Sequence, residues 1–319
     1  MEMERRFLRE ETPAAAIGMA ELMRETVRIG VVGMAPGAGS SFLGLSLAAA
    51  LADLRKICSE ESESPGAAKE NGPAVWSRER SWSRHVDVGQ RQRIRQRAER
   101  DTGAAVGFLE LTPVQAGMPL LYDSLGMDKR FAGREFNDFY ERVRSRRGLR
   151  GLYNLDEGIN WALKTPQTAA LLKEDKLTAV EKLRLLCGVS ARTLVCDLGC
   201  GNEEGELEQL LAELDTILFV IDPLPSRLLC GEERLSMMKR LENRGAKVIW
   251  AVNKYSEGIN RRALFGFLKI KKYVAVPLAD PAEFYTAEYN CRLPLRSRII
   301  AASMQKPLEE IIKLHRIHI

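Results

Sequence analysis

Histidine is scarce in this chain, with His85, His315 and His318 the whole supply in 319 residues. Cys196 and Cys200 flank one acidic strand end, but with so few imidazoles they read as buried reduced thiols rather than half of a metal centre. The six cysteines (Cys58, Cys187, Cys196, Cys200, Cys230, Cys291) lie scattered through apolar and helical stretches. They lack the spacing of a disulfide framework, which points to a reducing, cytoplasmic compartment. No run reaches the roughly 18 apolar residues that cross a bilayer. The first residues, MEMERRFLREE, are charged and contain no apolar core of a secretion signal. What the chain does have is apolar mass. At 45% hydrophobic residues it can bury a large core as one α/β domain with additions.

The most informative absence is a lysine. Val27–Val32 is an apolar strand that enters a Gly/Ala/Pro-rich turn, and a helix of small residues follows from about Ser41. Backbone N–H groups in such a turn, backed by the positive end of a helix, form a nest for anions. A phosphate-binding loop of the GxxxxGK[ST] type also uses a lysine that reaches the outer phosphates. MAPGAGSSF has none.

Apolar runs of strand length recur along the chain, separated by helical patterns. They are AAVGFLELTP (Ala104–Pro113), LVCDLGCG (Leu194–Gly201), TILFVIDP (Thr216–Pro223), KVIWAVNK (Lys247–Lys254) and VAVPLAD (Val274–Asp280). Short apolar runs alternating with helices are what a mostly parallel, doubly wound α/β sheet with helices on both faces demands.

In order and content these segments resemble the MinD/ParA group of P-loop ATPases. The loop and helix MAPGAGSSF…SLAAALA align without a gap to that family's GKGGVGKTT…NLAAALA. The resemblance covers roughly residues 27–56 and 102–313. It implies an ATP or ADP site with Mg²⁺, in which Gly37, Ala38, Gly39, Ser40, Ser41 and Phe42 cradle phosphates. Ser41 stands at the magnesium-binding hydroxyl and Asp197 at the second acidic position. Glu110 takes the first acidic position of the family's DxDP switch. Asn253 takes the place of the adenine contact, and Pro277 and Asp280 match the IPxD strand-loop. Departures are as informative as matches. Ser40 replaces the loop lysine, Ala35 replaces the family's additional lysine, Pro36 removes one backbone donor, and Thr112 replaces the water-orienting Asp. Two independent losses, at the cradle and at the water, predict slow or absent hydrolysis.

Within the superfamily the chain is most similar to the TadZ/CpaE-like localisation proteins of pilus assembly, which implies a scaffold role. Three readings stay open. The first is a nucleotide-responsive pseudo-ATPase scaffold, and the second a slow ATPase whose lysine comes from elsewhere. The third is a partition-type protein that binds DNA. The expected partners are a second copy of the chain and a protein of an assembly or partition machine. The expected location is cytoplasmic, or peripheral at the inner membrane face.

Domain organisation is expected to be an N-terminal helical extension over 1–26 and a single α/β domain over 27–319. A flexible Arg-rich insertion interrupts the domain at about 57–101. Between Arg78 and Arg100 eight arginines stand against Glu79, Asp87 and Glu99, a balance of +5 that equals the net charge of the whole chain. That stretch is either a tether for an anionic surface or nucleic acid, aided by Trp76 and Trp82, or a solvated loop. The segment from Asp123 to Leu163 reads as core-facing helix through Phe131, Phe136, Phe139 and Tyr140, with Arg146, Arg147 and Arg150 forming either a solvated turn or a partner site. At the C-terminus Ile311, Ile312, Leu314 and Ile317 form an apolar stripe that packing against the domain explains as well as a MinD-type membrane helix would.

Overall fold

A computed structural model of the chain describes residues 26–63, 105–115, 118–202 and 204–315. The expected N-terminal extension and most of the Arg-rich insertion lie outside the described residues. The first strand, β1 (Val27–Gly33), leads through the glycine loop into helix α1 (Ser40–Glu63). From Ser40 to Lys56 α1 holds no β-branched residue and is rich in Ala and Leu, which favours helix. It continues to Glu63, so helix replaces the loop expected from residue 57.

The chain then runs through β2 (Val106–Glu110), three short helices α2 (Leu121–Ser124), α3 (Met127–Arg130) and α4 (Phe139–Arg144), and strands β3 (Leu155–Asp156) and β4 (Ile159–Ala162). Helices α5 (Pro166–Glu174) and α6 (Ala179–Gly188) lead to β5 (Thr193–Gly199), α7 (Glu204–Leu211) and β6 (Thr216–Ile221). The remainder is α8 (Pro225–Cys230), α9 (Glu232–Asn243), β7 (Val248–Tyr255), α10 (Arg261–Leu268), β8 (Val274–Pro277), α11 (Pro281–Tyr289) and α12 (Arg298–His315).

The eight strands form one sheet in the order β3-β4-β2-β5-β1-β6-β7-β8. All neighbours are parallel except β3, which returns antiparallel on β4. Side chains alternate across each strand. Thus Ile29 and Val31 of β1 and Leu218 and Val220 of β6 enter one core, with α1 and α12. Val32, Ile217, Phe219 and Ile221 enter the other, with α6, α7, α9 and α10. This is the doubly wound α/β sheet expected. Ile311 and Ile312 are buried in the first core, whereas Leu314 is 41% exposed, so the C-terminal stripe packs only in part. No helix among the described residues is long and apolar enough to cross a membrane.

The segment from Asp123 to Leu163 departs from the reading of it as helix. Phe139 and Tyr140 are helical and buried, but Phe131 follows α3 and Phe136 lies in a loop, where both join Tyr122 in an edge-on aromatic cluster at 5.1 Å. Two polar side chains make the β3–β4 turn possible. Asn160 accepts from the backbone of Asn154 (2.8 Å) and Asn154 donates to the carbonyl of Trp161 (2.8 Å). Arg146, Arg147 and Arg150 lie on an exposed turn.

Candidate functional site

The carboxyl ends of β2, β5, β1, β6 and β7 converge around the glycine loop, the rim at which ligands bind in open α/β sheets. Gly37 and Gly39 hold φ of 76° and 89°, a left-handed turn that a β-carbon would strain. Met34 anchors the loop through a 2.8 Å bond from its N–H to the carbonyl of Val220 on β6. Ser40 and Ser41 open α1, whose first N–H groups have no partner within the helix and face the rim. Phe42 turns away and packs edge-on against Phe284 of α11 at 4.8 Å.

Asp197 is fully buried on β5, next to the loop through the pairing of β1 with β5 and in register with Glu110 of β2. Its Oδ1 accepts from the Gly199 N–H at 3.1 Å, while Oδ2 has no hydrogen-bond partner. Burial pushes its pKa up from 3.8 to about 6, the Ser41 hydroxyl pulls it down, and neighbouring Glu110 adds to the rise. A buried carboxylate oxygen that lacks a donor is a group that a cation would satisfy. Ser41 beside it is the hydroxyl that would share such a cation.

The first acidic position has a different environment. Glu110 is 4% exposed, and its carboxylate accepts from Lys164 Nζ at 3.1 Å, the Lys164 N–H at 3.1 Å and the Thr112 hydroxyl at 3.2 Å. Gly199, at φ 57°, lets the Thr112 methyl sit 2.7 Å from where a β-carbon would be, so the ends of β2 and β5 touch.

The loop's other flank carries cations that sequence reasoning passed over. β7 shifts register between Val252 and Tyr255, and Lys254 adopts φ 54°, a conformation unusual for a side-chain-bearing residue. The distortion turns Asn253 and Lys254 onto the loop. Asn253, 3% exposed, donates to the Ala38 carbonyl at 2.8 Å. Lys254 Nζ donates to the Gly37 carbonyl and to Asp222, both at 2.7 Å. The Arg227 guanidinium lies 3.9 Å from where a Gly37 β-carbon would stand. Arg234 of α9 reaches the carbonyls of Gly33 (3.2 Å), Cys200 and Asn202, tying β1 to the loop after β5.

The structure therefore brings Gly37, Ala38, Gly39, Ser40, Ser41, Glu110, Thr112, Asp197 and Asn253 to one rim. Pro277 and Asp280 stand farther along it, beyond β6 and β7, and the Asp280 carboxylate caps α11 through the Ala282 N–H at 2.9 Å. Pro277 ends β8, where it is the register partner of Tyr255 of β7. The Asn253 amide nitrogen is likewise engaged by the loop.

The sequence matches no protein-family model and no curated relative. Solved structures are more informative. The septum site-determining protein MinD of Pyrococcus horikoshii, complexed with Mg-ADP, superimposes with TM-score 0.57 at 16% identity, over 92% of this chain and 99% of that one. A plasmid partition protein of Borrelia burgdorferi bound to AMPPNP gives 0.56 at 13% identity, over 90% and 98%. A chain of the MinC:MinD cell division protein complex of Aquifex aeolicus gives 0.55 at 12% identity, over 90% and 96%. The chain thus has the mostly parallel α/β fold of the MinD/ParA P-loop ATPases along about nine-tenths of its length.

Proposed function

We propose that this chain is a nucleotide-binding protein of the MinD/ParA type with impaired hydrolysis that serves as a localisation or assembly scaffold. One observation carries the reading. Ser41 and a buried Asp197 with an unpartnered Oδ2 stand beside a left-handed glycine loop at the N-terminus of α1. Loop N–H groups from Gly37 to Ser41 would hold the phosphates, and Ser41 with Asp197 would hold Mg²⁺. The metal would neutralise phosphate charge when bound. Impairment follows from Ser40 and Ala35 in place of lysines, and from Thr112, a hydroxyl engaged with Glu110, in place of a water-orienting carboxylate. A missing loop lysine removes a charge-assisted bond of about 1.5–3 kcal/mol, or one to two decades of affinity.

The related structures carry Mg-ADP or AMPPNP, and one is a complex with MinC. We extend to this chain a nucleotide of the same class, self-association and a protein partner at the same rim. A pilus-assembly role of the TadZ/CpaE kind belongs to this proposal. A slow, genuine ATPase is the second reading, favoured by Lys254, which places an ammonium on the Gly37 carbonyl from within the chain.

The deciding experiment measures ADP and ATP affinity with and without Mg²⁺ alongside turnover, in the native protein and in Ser40→Lys/Thr112→Asp. Weak Mg²⁺-dependent binding without turnover, tightened tenfold or more in the variant, supports the scaffold reading. Robust hydrolysis that Ser41→Ala or Asp197→Ala abolishes overturns it in favour of the enzyme.

A further inference from the structure

Lys164 is a buried lysine that the proposed nucleotide chemistry does not use. It follows β4 and is 3% exposed. An ammonium taken out of water needs acceptors for all three of its N–H groups. Here they are Glu110 Oε1 at 3.1 Å, the Thr112 hydroxyl at 3.3 Å and the Glu110 carbonyl at 3.4 Å. The Tyr140 ring centroid lies 5.6 Å from the charge, and the Tyr140 hydroxyl donates to the same Glu110 carbonyl. With every donor engaged, Lys164 has none left for a phosphate.

What it does instead follows from its neighbours. Glu110 and Asp197 are register partners on adjacent strands, both buried. Two carboxylates so placed repel each other, and Lys164 is the cation between the end of β2 and the turn into α5. That turn is fixed independently. Thr165 caps α5 by accepting from the Thr168 N–H at 3.2 Å, and its hydroxyl donates to Asp138 at 2.8 Å, as does that of Thr168. Asp138 in turn caps α4, which carries Tyr140. On the other side Leu111 donates to the Asp197 carbonyl at 2.7 Å, and Thr112 packs on Gly199.

We propose that Lys164 is a positioning residue that holds Glu110–Thr112 in its ordered arrangement beside Asp197 with charge supplied by the chain itself. This segment then needs no nucleotide phosphate for its order, and the face it presents is constitutive. The proposal deepens the reading of this rim as a magnesium–nucleotide site that has lost its turnover, and it rests on that reading for its meaning. Its main test is made without nucleotide.

Native-state hydrogen exchange of the amides from Glu110 to Gln115 is measured in the full-length protein, with and without Mg–ADP. The variants are Lys164→Met, Lys164→Arg and Glu110→Gln/Lys164→Met. We expect native protection in this segment to change less than about twofold on adding Mg–ADP. Lys164→Met should speed exchange there by about tenfold or more, the loss of one charge-assisted bond, while the amides of β6 and β7 keep their rates. Lys164→Arg should restore most of the protection. The double variant should be slower than Lys164→Met, because it no longer buries an uncompensated carboxylate. Unchanged exchange in Lys164→Met overturns the proposal, as does a rise spread over the whole sheet that Arg does not rescue. So does a double variant no slower than Lys164→Met, or native protection that appears only with Mg–ADP. Failure of the native protein to bind Mg–ADP would count against the nucleotide reading alone, since the nucleotide-free comparisons still judge Lys164.

Discussion

Asp197 is held in a way that costs the fold stability at neutral pH, and Asp197→Asn exposes that cost. Its pKa stands at about 6 in the fold against an ordinary 3.8, because burial and the neighbouring Glu110 carboxylate outweigh the Ser41 and Gly199 donors. The folded state therefore binds this proton more tightly than the unfolded chain. The resulting stability is fully present below pH 3.8 and is lost as pH rises through 6. At 1.36 kcal/mol per pH unit, the full span is about 3 kcal/mol, of which about 1.4 kcal/mol falls between pH 5 and pH 8. Asparagine keeps the acceptor for the Gly199 N–H but does not titrate. Whatever constant penalty its buried NH₂ adds, the native-minus-variant difference should shift by about 1.4 kcal/mol in favour of the variant from pH 5 to pH 8. Urea unfolding at several pH values reads this directly. At pH 8, millimolar Mg²⁺ with ADP should stabilise the native protein and leave the variant unmoved. Parallel pH profiles for the two proteins would refute the assignment of Asp197 as the strained, cation-seeking group of the site.

Three further outcomes follow. Lys254→Met combined with Arg227→Ala removes the two cations at Gly37 and should weaken nucleotide binding by about tenfold in a titration; unchanged affinity would show that both act only on the loop's own carbonyls. His315 is buried against Thr216, and burial with nearby Lys247 pushes its pKa down from 6.5 to about 4. Its contribution is therefore present above pH 6.5 and lost as pH falls towards 4, so His315→Gln should flatten acid destabilisation over that interval, and an unaltered acid limb would exclude it. If Arg78–Arg100 is a tether for an anionic partner, association with DNA should fall by about a thousandfold or more between 50 and 200 mM salt. Replacing its eight arginines with serine should abolish that association, whereas weak, salt-insensitive binding would favour a solvated loop.

The central strands were legible because each is a short, nearly continuous apolar run, and a strand buried on both faces needs nothing else. The loop and its two partners, Ser41 and Asp197, were legible for a related reason, since a left-handed glycine turn before a helix leaves a local pattern. β4 left no such pattern. INWA is four residues long and includes an asparagine whose burial depends on Asn154 and the Ser190 carbonyl. The aromatic residues upstream repeat at helical spacing although they lie on separate pieces. Lys164 was missed because a lysine closing an apolar run reads as a solvated end, and only the pairing of β4 with β2 brings it to Glu110. Asn253 was found by motif, but the register shift that turns it and Lys254 onto the loop is a property of the β7–β8 pairing. The stretch Arg78–Arg100 lies outside the described residues, so its two readings rest on composition.

The most direct test of the account is a single-turnover experiment in which ATP labelled in its terminal phosphate is mixed with excess protein and Mg²⁺. Bound nucleotide and released phosphate are followed together. The account predicts Mg²⁺-dependent binding that Asp197→Ala abolishes, with no phosphate release above the uncatalysed rate. Phosphate release that requires Ser41 and Asp197 would contradict impaired hydrolysis. Absence of binding in both the native protein and the Ser40→Lys variant would contradict the nucleotide site itself.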